Sequence, residues 1–220
     1  MYRHLREFLE ALEREGEVIR IADEVSPCLE ISRITDRESK RPGGGKALFF
    51  ERVKGSPFPA ATNIFGSMKR ICMALGVKDL DEPGRRIKEF VEFHPPRNLR
   101  EAMNAIPRAI EVSRFFPRTF RGKTPPCQEV VLTGDRVDLS ILPVLQCWPK
   151  DGGPFITLPL VVTRSLETGK RNVGMYRMQI FDKKTTGMHW HIHKDGSHYY
   201  GEYRKKGLRK IGRASCRERV

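Results

Sequence analysis

Residues 171–200 read RNVGMYRMQIFDKKTTGMHWHIHKDGSHYY and hold four of the six histidines in the chain. His189, His191 and His193 alternate with Trp190 and Ile192, so an extended backbone would turn all three imidazoles to one face of a sheet. Asn172 and Arg177 lie upstream on a second alternating run, Asn172-Val-Gly-Met-Tyr-Arg177, and a Lys/Thr/Gly turn separates the two. The pattern predicts a hairpin of polar-lined strands forming one wall of an anion or metal site. Residues 128–133, 156–163, 172–181 and 187–193 are all short β-like runs beside Gly-Asp, Asp-Gly-Gly-Pro or Thr-Gly turns. They predict a mostly antiparallel second domain, with residues 137–143 as a helical turn or an extended crossover.

The first half has a different period. Leu5, Phe8, Leu9 and Leu12 fall at helical spacing before Gly16, and a short strand over 17–21 follows. Ser26-Pro27 is expected to open a second helix, with Pro27 in its first turn. Ala47-Leu-Phe-Phe50 reads as a buried strand, residues 60–64 as another, and Ser67 as the cap of a helix that ends at Gly76. Further helices are expected over 80–93 and 99–106. The glycines of Arg41-Pro-Gly-Gly-Gly45 lack a following Lys-Ser/Thr and read as a flexible turn, not a phosphate loop. These alternating elements predict a compact α/β scaffold over 1–110 without convergent polar groups, a basic, proline-bounded linker over 111–126, and the β-rich domain over 127–210.

No apolar run approaches the roughly 20 residues that span a bilayer. The acidic amphipathic N-terminus lacks the apolar core of a signal peptide, so a cytoplasmic protein is expected. Five scattered cysteines without a CxxC pair argue against a thiolate zinc site and a disulfide framework. Half of the net charge of +14 falls after residue 203, where eight basic residues face one acid. Elsewhere the basic residues are interspersed with acids, which favours small anions over nucleic acid as partners. A nucleic-acid binder resting on that basic tail is the third class of reading. Residues 211–220, IGRASCRERV, continue no earlier pattern and resemble a translated sequencing adapter. They are read as a non-native tail and set aside from the fold.

Three histidines in five residues can bind zinc, but i, i+2 positions on one strand rarely give one ion more than two ligands. Asn172 with a single imidazole better suits a hard, octahedral metal holding a phosphate. Arg177 is either a surface charge or a bidentate clamp for a carboxylate or phosphate. Tyr176 beside it can equally be packing.

These residues also carry a family resemblance. Thr163-Arg164, Lys170-Arg-Asn-Val-Gly-Met-Tyr-Arg177, Asp138-Leu-Ser-Ile-Leu-Pro143, Cys147-Trp-Pro149 and Gly153-Pro-Phe-Ile-Thr157 together resemble the UbiD decarboxylases, as do Leu5-Arg-Glu-Phe-Leu9, Gly16-Glu-Val and Asn63-Ile-Phe-Gly66. The resemblance is to the hydroxybenzoate branch, associated with ubiquinone biosynthesis. It implies an α+β fold: an N-terminal α/β domain followed by part of an antiparallel split β-barrel that binds flavin.

The activity implied is non-oxidative, reversible decarboxylation of an aromatic or α,β-unsaturated acid. Its cofactor is prenylated FMN, held through Mn2+ and often K+. By resemblance, Asn172 and His193 match the metal ligands. Met175, Tyr176, Arg177, His189, Trp190, His191, Lys194 and Asp195 match segments lining the flavin, and Arg177 is the catalytic arginine. The resemblance further implies a homo-oligomer with no nucleic-acid partner, whose membrane contact would be peripheral at most. It also places the proton-donating carboxylate and a third metal ligand beyond residue 220, so this chain alone is expected to be inactive. A non-catalytic flavin- or anion-binding module is the alternative.

Overall fold

The computed structural model describes residues 2–91, 128–209 and 211–216, with isolated positions between 103 and 125. Helix α1, Leu5–Arg14, forms where the apolar spacing places it and buries Phe8, Leu9, Ala11 and Leu12. His4 caps it by accepting from the Glu7 N–H, and Gly16 follows its end at φ +67°. Strand β1 (Val18–Val25), helix α2 (Glu30–Ser39), strands β2 (Ala47–Val53) and β3 (Ala60–Thr62) and helix α3 (Met68–Leu75) come next. β1 and β2 are parallel, β2 and β3 antiparallel, and β2 lies in the centre. Leu48 and Phe50 pack with Ile31 of α2, whereas Ala47 packs with Phe8 and Leu12 of α1. That double covering is why β2 begins as a continuous apolar run.

Ser26-Pro27 does not open α2. The helix starts at Glu30, after Leu29 at φ +67°. The cause is tertiary: the Pro27 carbonyl and the Leu29 N–H bond the backbone of Gln146 at 3.1 and 3.0 Å. That parallel bridge holds Cys28 opposite Gln146 and delays the helix.

The scaffold also contains the convergent polar group that the sequence reading denied it. Arg70 of α3 is fully buried. Its guanidinium donates to the Ile64, Gly45 and Asn63 carbonyls at 3.1, 2.7 and 3.2 Å, and to the Glu17 carboxylate at 2.9 Å. Asn63, itself left-handed at φ +54°, donates Nδ2 to the Gly44 and Lys46 carbonyls at 2.8 Å each. The triple glycine is therefore a fixed acceptor loop and no flexible turn. A Cβ on Gly44, at φ +85°, would lie 1.7 Å from the Gly66 carbonyl oxygen.

Two compact units divide the chain, Met1–Gly76 with Val137–Val220, and Val77–Arg136. The second contains α4 (Asp81–Val91) and a 3-10 turn, Gly134–Arg136. Residues 128–133 form no strand there: Val130, Val131 and Leu132 are exposed, and no strand among the described residues pairs with them. A β-like pattern without an edge to bond does not become a strand. Residues 99–106 and the linker 111–126 lie largely outside the described residues.

In the first unit the chain resumes with a 3-10 turn, Leu139–Ile141. It continues through β4 (Phe155–Ile156), β5 (Pro159–Arg164), β6 (Arg171–Met175), β7 (Met178–Ile180), β8 (Thr186–Met188), α5 (Asp195–Lys205) and β9 (Gly212–Cys216). Two open, antiparallel three-stranded sheets result, ordered β4-β7-β8 and β6-β5-β9. The fold is α+β. Two predicted strands each break in the middle: residues 156–163 divide between β4 and β5, and residues 172–181 between β6 and β7. At both breaks the chain passes from one sheet to the other. Residues 212–216, set aside on composition, pair along the free edge of β5 from Pro159↔Cys216 to Thr163↔Gly212. Ladder bonds use backbone alone, so the odd composition does not prevent the pairing.

Candidate active site

The site lies where β6 gives way to β7, close to the start of α5. Asn172 of β6 is paired with Thr163 of β5. Tyr176 follows the strand and is 7% exposed. Its hydroxyl accepts from Asn172 Nδ2 at 3.3 Å and from the Gly196 N–H of α5 at 3.2 Å. His193, Lys194 and Asp195 enter α5 on the other side. Asn172, Met175, Tyr176, His193, Lys194 and Asp195 line one open pocket of about 260 Å³. Residues up to 23 positions apart thus meet.

The other expected residues lie elsewhere. Residues 189–193 are not a strand, because β8 stops at Met188, and the predicted alignment of three imidazoles on one strand face does not form. The segment turns instead toward α5, with the Lys194 N–H bonding the His191 carbonyl. His189 and His191 are exposed, their rings 5.6 Å apart. Trp190 is half-buried and meets Tyr176 and Tyr200 edge-on, with centroids at 6.1 and 5.2 Å. Its indole Nε1 is buried without a hydrogen-bond partner among the described residues. Arg177 is exposed and lies over the Phe155 ring at 4.5 Å, a cation–π contact that orients its guanidinium. Asn172 and Arg177 therefore belong to one corner of the chain but not to one strand.

Among the described residues, no group of three His, Cys, Asp or Glu side chains is placed to hold a metal ion. The pocket offers a mixed set instead: the Asn172 carbonyl oxygen, the His193 imidazole and the Asp195 carboxylate. That donor chemistry fits a hard divalent cation better than a thiolate-seeking one. Lys194 on the same wall opposes a bare cation and suits one carrying an anionic group such as phosphate.

The buried Glu202 of α5 escaped the sequence reading. It accepts from Ser165 Oγ at 2.9 Å and from the Leu166 N–H at 2.7 Å, locking α5 to the turn between β5 and β6. Only its place on α5, 37 residues from Ser165, makes it visible. Desolvation pushes its carboxyl up, but the Ser165 hydroxyl, the Leu166 and Glu167 N–H groups and His198 outweigh this and hold it below the usual range. Asp138 is drawn down to about 2 by the Ser140 hydroxyl and N–H and by Lys183.

A folded pKa below the unfolded one gives stability that is complete above the unfolded value and lost as pH falls through the folded one. Melting temperature should therefore decline from below about pH 4.5 for Glu202, and between 3.8 and about 2 for Asp138. Glu202→Gln should flatten the upper part of that limb and Asp138→Asn the lower. Identical acid limbs in melts of all three proteins would refute the assignment.

Comparison with known proteins decides the family. The N-terminal domain of 3-octaprenyl-4-hydroxybenzoate carboxy-lyase matches residues 9–90, and the Rift-related domain of the same enzyme matches residues 118–216. The chain belongs to the UbiD family. An uncharacterized protein of Aquifex aeolicus is 44% identical over 207 residues, covering 94% of this chain and 42% of its own length. One from Archaeoglobus fulgidus is 46% identical over 210 residues, covering 96% and 42%. The vanillic acid decarboxylase of Sedimentibacter hydroxybenzoicus in its closed form superposes with a TM-score of 0.73 at 27% identity, over 94% of this chain and 41% of that one. The UbiD-class enzyme HmfF of Pelotomaculum thermopropionicum in complex with FMN gives 0.65 at 23% identity, over 92% and 40%. The UbiD-family chain described here thus spans about two fifths of the length of these relatives. Among its described residues no helix is long and apolar enough to cross a membrane.

Proposed function

We propose that this chain supplies the metal- and phosphate-binding wall of a non-oxidative, reversible decarboxylase acting on an aromatic or α,β-unsaturated acid of the 4-hydroxybenzoate type. The observation that carries this reading is the convergence of Asn172 and His193 on one pocket, at the start of α5. Asn172 Oδ1 and the His193 imidazole would hold Mn2+, with K+ as an accessory ion, and Lys194 would pair with a cofactor phosphate. Prenylated FMN bound there would supply the electron sink for loss of carbon dioxide. Arg177, oriented by Phe155, would fix the substrate carboxylate. Met175 and Tyr176, with His189, Trp190 and His191 beyond the pocket, would contact the flavin. The buried Trp190 Nε1, without a hydrogen-bond partner among the described residues, supports a polar neighbour at this wall. The two family matches leave residues 91–117 between them, which supports a domain boundary near the 111–126 linker. A cytoplasmic homo-oligomer is the assembly proposed. A non-catalytic flavin- or anion-binding module is the alternative, favoured where no acid can reach Asn172, Arg177 and His193; Asp195 on the pocket wall weighs against it.

Asn172→Ala and His193→Ala should each lower Mn2+-dependent FMN retention at least tenfold, the scale seen when even supporting groups around a metal are removed. The measurement is flavin absorbance after gel filtration with and without Mn2+. Retention equal to that of the unmodified protein would overturn the proposal.

A further inference from the structure

The amide of Asn172 is not free to turn. Its Nδ2 donates to the Tyr176 hydroxyl at 3.3 Å and to Thr163 Oγ1 at 3.5 Å. Both acceptors are fixed: Thr163 is 1% exposed and Tyr176 7%. An asparagine whose amide hydrogens are both engaged offers only its carbonyl oxygen to a ligand. The Tyr176 oxygen also accepts from the Gly196 N–H, so one hydroxyl ties β6 to the first turn of α5.

The ring that carries this hydroxyl lies in a slot made by two glycines. A Cβ on Gly174 would meet the ring at 2.4 Å, and a Cβ on Gly196 would meet it at 3.0 Å. Trp190 closes the slot edge-on. The Gly174-Met-Tyr176 run and the distant Gly196 are therefore parts of one device.

We infer that Tyr176 is the positioning residue of this pocket: it holds the Asn172 amide so that Oδ1 faces the ligand as a cation acceptor, and it sets the α5 N-terminus against it. The inference rests on the reading of Asn172 and His193 as holders of a divalent cation.

Tyr176→Phe tests it, since the ring stays in its slot and only the hydroxyl goes. Two readouts are taken on 15N-labelled protein. Without metal, the side-chain NH2 of Asn172 should shift and exchange faster with solvent in the variant. With Mn2+ alone as the probe, paramagnetic broadening at Asn172 and His193 should require on the order of tenfold more ion, as for loss of a group supporting a metal ligand. The melting temperature should fall by only a few degrees, since the ring still fills its slot. An unaltered Asn172 NH2 signal overturns the positioning role. If the unmodified protein shows no Mn2+ broadening at Asn172, the cation reading fails, while the metal-free signal still decides whether Tyr176 holds the amide.

Discussion

Replacing Arg70 with methionine is expected to lower the melting temperature by about 10 °C, although the side chain lies in the α/β scaffold and not at the candidate site. The guanidinium is 0% exposed and serves three carbonyls and the Glu17 carboxylate within 3.2 Å. A methionine fills much of the volume but leaves the Ile64 and Gly45 carbonyls without that donor, while the Asn63 carbonyl keeps the Gly66 N–H at 3.1 Å. Breaking a buried pair by removing one partner costs about 3–5 kcal/mol. In a chain of this size each kcal/mol moves the midpoint by about 2–4 °C. Lys69 limits the damage, because its ammonium also bonds Glu17 at 3.1 Å. Arg70→Lys should recover only part of the loss, since a point charge cannot reproduce a planar fork that reaches carbonyls on several sides. Melts followed by circular dichroism decide the matter, and a midpoint within about 2 °C of the unmodified protein for Arg70→Met would refute the role of the clamp.

What the sequence revealed, and what it hid, follows from how far each signal reaches. α1 and its Gly16 stop, and α3 between Ser67 and Gly76, are set by neighbours within one turn, and those boundaries could be read directly. Arg70 could not: its partners range from residue 17 to residue 64, and no period links them. The start of α2 depends on Gln146, more than a hundred residues away. Alternation also misled where strand and turn share a pattern. His189, Trp190 and His191 alternate like a strand, yet β8 has ended and the segment is already turning into α5. Residues 128–133 have strand composition and no edge to pair with among the described residues, whereas residues 212–216 have no aromatic or large apolar residue and found the edge of β5. Alternation brought Asn172 to the histidine run, but the choice of His193 was legible only through a family motif, because a pocket shared between β6 and the start of α5 has no signature in spacing.

Gly174→Ala should destabilise the protein, against the usual effect of that substitution. Gly174 lies inside β6 opposite Val161, and its φ is not positive, so alanine fits the backbone. Where that holds, Gly→Ala stabilises by about 0.4–1 kcal/mol by restricting the unfolded chain. Here the new Cβ would lie 2.4 Å from Cε2 and 2.6 Å from Cζ of Tyr176. The ring cannot retreat freely, because Gly196 and Trp190 bound it. Overpacking of this kind costs about 1–3 kcal/mol, which outweighs the entropic gain. A displaced ring also withdraws its hydroxyl from Asn172 and Gly196, so the Mn2+ binding proposed for Asn172 and His193 should weaken together with stability. The sign is the useful part, and a double-mutant cycle isolates it. In a Tyr176→Ala background the clash has no partner, and Gly174→Ala should turn neutral or mildly stabilising. An equal cost of Gly174→Ala in both backgrounds would place the constraint in the strand and refute the slot.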